Sequence, residues 1–139
     1  MRKSIAFLCM VATLISFSSC QRNYTHAVYE VSIVAKLIYN HSVGNDWKKS
    51  YTCNGRTIAD GEEWTVPLDT TETIKVNATV TEIDEWNDIG YGSASVTLSD
   101  GYKTSTHITV IENKGRYNGN KALWEIIFKV KLIDNILIT

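Results

Sequence analysis

The residues with the clearest chemical potential are acidic and fall close together in the chain. Glu82, Asp84, Glu85 and Asp88 share one short stretch, Asp46 follows Gly44 and Asn45, and Asp60 and Glu62 flank Gly61. Hard cations such as calcium take roughly six to eight oxygen ligands from carboxylates, amides and backbone carbonyls, which loops rich in Asp, Asn and Gly supply. Asp46, Glu82, Asp84 and Asp88 are therefore candidate calcium ligands. The same residue types also make ordinary solvated turns.

Aromatic residues offer a second chemistry. Trp47 and Trp86 adjoin the acidic stretches, with Tyr91 and Tyr117 in similar turn-rich sequence, and exposed rings stack on sugars or enter a membrane interface. Trp47 and Trp86 are the candidate ligand-binding aromatics. Lys114 and Arg116 would hold an anionic headgroup or pair with the acidic loops. Catalytic signals are poor: His26, His41 and His107 are scattered, and neither HExxH nor GxSxG occurs. Asp84 and Asp88 have the residue types for glycoside chemistry, but so small a domain offers little cleft for a substrate, and no enzyme is expected.

Fourteen basic and 15 acidic residues give a net charge of -1, so no nucleic-acid partner is expected. Export is expected instead. Arg2 and Lys3 precede an apolar run from Ile5 to Phe17, then Ser18, Ser19 and Cys20, the order of a secretory signal over residues 1–19. The Phe17, Ser18, Ser19, Cys20 ending resembles the bacterial lipoprotein signal, with Phe17 where an aliphatic residue is usual. An ordinary secreted chain without lipid is the alternative. The resemblance implies lipid on Cys20, a tether over residues 20–26, and an extracytoplasmic domain anchored to a bacterial membrane. Buried acyl chains contribute about 0.8 kcal/mol per methylene, enough to hold a domain at a bilayer. The tether reaches roughly 20 Å when extended. Cys9 lies in the signal, which leaves Cys53 without a disulfide partner. Sequons at Asn23, Asn40 and Asn77 fit chance occurrence in a bacterial chain.

The elements that must position these residues are strands. Tyr29, Val31, Ile33, Ala35 and Leu37 alternate with polar or outward positions, as do Ile74, Val76, Ala78 and Val80, and Trp124, Ile126, Phe128, Val130 and Leu132. Asn54 and Gly55 predict a type I′ hairpin between residues 47–53 and 56–58. Further strands are expected at 63–67, 92–98 and 104–112. About eight strands and no helix predict an all-β, antiparallel β-sandwich over residues 27–139, following the cleaved signal. If successive strands alternate direction, loops 39–46, 59–62, 83–91 and 113–120 share one end, and that end is acidic.

Glu82, Asp84, Asp88, Ile89 and Gly90 resemble the third calcium loop of the calcium-dependent phospholipid-binding β-sandwich domains of protein kinase C and synaptotagmins. Gly44, Asn45 and Asp46 are similar to part of that family's first loop. The resemblance implies that Asp46, Glu82, Asp84 and Asp88 hold calcium. Asn40 and Glu82 stand where the family has Asp, and the spacer before Asp88 is shorter. The expected function is a membrane-anchored binding or interaction module that recognises a surface protein or a glycan. A carbohydrate or cell-wall binding module, and a structural component of a surface assembly, are the alternatives.

Overall fold

Alternating side chains build two antiparallel four-stranded sheets that pack face to face around one apolar core. The computed structural model describes residues 23–138; the signal expected at 1–19 and Cys20 lie outside them. In chain order the strands are β1 (His26–Asn40), β2 (Trp47–Cys53), β3 (Arg56–Ile58), β4 (Glu62–Pro67), β5 (Thr73–Glu82), β6 (Asp88–Thr97), β7 (Lys103–Ile111) and β8 (Lys121–Ile136). One sheet has the order β4-β1-β8-β7 and the other β3-β2-β5-β6. This is the eight-stranded sandwich that the patterning predicts.

Period-two alternation selects the core. Val31, Ile33, Val76, Val80, Trp124, Ile126, Phe128 and Val130, all expected inward, are all buried. Leu37 is an exception and is exposed, near a register shift between Leu37 and Tyr39 on β1. Such a bulge turns side chains off strict alternation. Asn54 and Gly55 have φ values of 50° and 77°, as the type I′ turn requires. Cys53 is a buried free thiol.

The two sheets approach closely where β6 meets β7. A Cβ on Gly90 would lie 2.6 Å from the Thr109 carbonyl oxygen and 2.7 Å from Ile108 Cγ2. Only a residue without a side chain fits there. This seam also corrects the expected loop 83–91, because Asp88, Ile89, Gly90 and Tyr91 already belong to β6 and pair with β5 from Glu82 back to Thr79. The connection shrinks to residues 83–87, and Tyr91 becomes an exposed residue of β6.

Strand registers bring three connections to one end of the sandwich. Asn40 lies opposite Ala122, Ile111 opposite Lys121, Trp47 opposite Glu82, and Glu82 opposite Asp88. The β3–β4 connection does not join them, contrary to the alternating-direction expectation. Because β3 is only three residues long, it cannot carry the chain back to that end, and β4 starts opposite Val31 in mid-β1. There the Ile33 amide donates to Asp60 Oδ1 (2.7 Å) and the Gly61 amide to the Val31 carbonyl (3.1 Å). Asp60 therefore serves the backbone of β1, and Glu62 pairs with Arg56.

Candidate functional site

The inward-facing register of three strands runs one residue past the apolar core and ends in an acid. On β5 the buried series Ile74, Val76, Ala78 and Val80 continues to Glu82. The inward side of β6 begins with Asp88, and the Ile108, Val110 series of β7 continues to Glu112 just beyond the strand. Glu82 is 3% exposed, Asp88 1% and Glu112 9%. Three carboxyl groups thus sit over the open end of a hydrocarbon core.

Backbone contacts shape the loops around them. Asn40 Nδ2 donates to the Gly44 carbonyl (2.6 Å), and the Val43 amide donates to Asn40 Oδ1 (2.9 Å). This small turn presents Gly44, with φ 119°, against the Glu82 side chain, which occupies the space a Cβ would need. The Ile83 amide donates to the Asp46 carbonyl (2.8 Å), joining the β1–β2 and β5–β6 connections. Asp88 Oδ1 accepts from the Asn113 amide (3.1 Å) and from Asn113 Nδ2 (2.8 Å), which ties the β7–β8 loop to β6. Asp84 Oδ1 accepts from the Trp86 amide (2.7 Å), and its own amide donates to Asn87 Oδ1 (3.2 Å).

Two carboxylate oxygens remain over. Glu82 Oε2 and Asp88 Oδ2 are buried and receive no hydrogen bond among the described residues. Desolvation raises the Glu82 pKa above its ordinary value, and the charges of Asp84, Glu112, Asp88 and Asp46 raise it further. Glu112 is raised by desolvation first and then by Asp88 and Asp84. Among the described residues, the single ion pair is Arg56–Glu62, so no protein cation bonds these acids.

The loops border an open cleft of about 770 Å³, within the roughly 300–1,000 Å³ range of small-molecule sites. Glu82, Asp84, Glu85 and Glu112 contribute its acidic lining, and Trp86 and Tyr117 its aromatic lining. Lys114 Nζ rests 5.3 Å from the centre of the Trp86 ring, and Arg116 Cζ lies 5.8 Å from that of Tyr117.

Of the candidate calcium ligands and ligand-binding aromatics, Glu82, Asp84 and Trp86 line this cleft, together with Glu85 and the Lys114, Arg116 and Tyr117 of the loop also singled out from sequence. Asp46 meets the β5–β6 connection through its backbone carbonyl, and Asp88 lies behind the cleft in β6. Among the described residues, no three His, Cys, Asp or Glu side chains form a group placed to hold a metal ion. Trp47 is the first residue of β2 and packs edge-on against Trp124, with ring centres 5.3 Å apart, as part of the core margin. Glu112 was not among the expected site residues, although its inward register after Ile108 and Val110 marks it. Comparison with protein-family models, curated proteins and solved structures finds no match to this chain.

Acid titration should expose the buried carboxyl groups. In the unfolded chain Glu82 titrates near the ordinary 4.5, and in the folded protein above it. The folded state therefore binds this proton more tightly, and its stability rises as pH falls through the raised value toward 4.5. Glu82→Gln should raise Tm at pH 7 and flatten the difference in Tm between pH 7 and pH 5. A variant that melts lower at pH 7 with an unchanged pH slope would reject this account.

Proposed function

We propose that this chain is a binding module, held at the outer side of a bacterial membrane by lipid on Cys20, that takes its ligand in the loop-end cleft. The observation that carries the reading is Glu82 Oε2, buried without a donor in a side chain that lines the cleft. Burying a polar group without a hydrogen bond is costly, and a ligand that supplies a donor removes the cost. Trp86 and Tyr117 add exposed ring surface beside it. A surface protein or glycan is the expected source of the ligand, with calcium as a competing candidate at the same carboxylates.

The cleft is tested by following amide shifts of the isotope-labelled full chain in detergent during separate additions of glucose, N-acetylglucosamine, spermidine and calcium chloride. At least one probe should shift amides in residues 40–45, 82–87 and 112–117, and Glu82→Gln should remove the response. Shifts from no probe, or shifts confined to another surface, would overturn the cleft reading. Anchoring is tested in cells: Cys20→Ala should release the chain from the membrane fraction or block its processing. An intact mature mass without lipid would overturn the anchor.

A further inference from the structure

We propose that the ligand of this cleft carries an ammonium group, bound by Glu82 and Glu112 and flanked by the face of Trp86. The inference rests on the cleft reading above and names the chemistry that the cleft selects. The lining has four carboxylates against two cations, and both cations lean on aromatic rings while, among the described residues, no protein cation pairs with any of these four acids. Negative charge at the cleft is therefore left for a cation from outside. Glu82 lines this cleft and is 97% removed from solvent, and its Oε2, buried without a hydrogen bond among the described residues, is an acceptor that such a cation would satisfy.

Geometry favours an ammonium over a hard metal ion. Calcium needs roughly six to eight oxygens, whereas Asp84 Oδ1 and Asp88 Oδ1 already accept backbone or amide donors. An ammonium has at most three donors and gains from an aromatic face within about 6 Å of its centre. Lys114 displays that arrangement inside the same cleft, with its Nζ over Trp86. It marks the ring as a seat for an ammonium and competes with the ligand for it. The source of the ammonium is either a free polyamine or a lysine side chain.

Binding to the full chain in detergent is measured by calorimetry for spermidine, for Nα-acetyl-lysine methylamide, and for Nα-acetyl-norleucine methylamide, which lacks the amine. Amines should bind and the norleucine control should not. Response to spermidine alone identifies a polyamine, and comparable response to the capped lysine identifies a lysine side chain. Glu82→Gln, with its fold verified by melting, should weaken the amine about tenfold or more, the loss of a charged hydrogen bond. Lys114→Met should tighten it about two- to fivefold by freeing the ring. Calcium or a sugar shifting the cleft amides while neither amine does would overturn the ammonium assignment and leave the cleft reading standing. Amine binding that survives Glu82→Gln unchanged would also overturn it, and silence from every probe would overturn the cleft reading itself.

Discussion

Phe128→Ala should lower the free energy of unfolding by about 3–5 kcal/mol, the cost of removing a buried aromatic side chain and leaving a cavity. Phe128 is fully buried on β8, opposite Ile33 of β1 on one side and Thr104 of β7 on the other. Its neighbours are held by strand ladders on both sides, so the backbone has little freedom to collapse into the space. Urea unfolding followed by circular dichroism measures the loss. A cost below about 1 kcal/mol would mean that the centre of this sheet relaxes around the missing ring, contrary to close packing.

Gly90→Val should be comparably damaging for the opposite reason. Even a Cβ at this position meets the Thr109 carbonyl at 2.6 Å, and a backbone atom cannot turn aside as a side-chain terminus can. Overpacking costs typically 1–3 kcal/mol, and two further methyl groups on the seam place Val at or beyond the upper end. Ser93→Ala, exposed on the same strand, should stay within about 0.5 kcal/mol. Equal Tm values for the two variants would show that β6 can part from β7 without loss.

Local patterns made much of this fold legible. The Asn54–Gly55 turn and the apolar alternation of β1, β5 and β8 depend on neighbours in sequence, and each appears where the residues predict it except at Leu37. What escaped depends on contacts across the sandwich. Gly90 read as a loop residue because glycine weakens a strand, yet β7 demands it in β6. The side of Asp60 was misread because alternating direction ignores strand length, and β3 is too short to return to the loop end. At the site, acidic loop residues were visible one loop at a time. The convergence of Glu82 with Glu112 required the β5–β6 and β7–β8 loops to be brought together, and the demotion of Trp47 required Trp124 beside it.

The placement of the chain ends gives the sandwich a direction. Both ends of the described chain lie at the pole opposite the cleft: the Thr25 amide donates to the Ile136 carbonyl, and the Ile138 amide donates to Thr25 Oγ1 (both 3.0 Å). From His26 to Asn40, β1 traverses the long axis of the domain, roughly 45 Å at strand rise. A tether at Cys20 would enter at the near pole, and the carboxylates would open at the far one. If the proposed lipid anchor holds, the domain would act as a short mast, carrying the cleft several nanometres above the lipid headgroups and toward whatever approaches from outside.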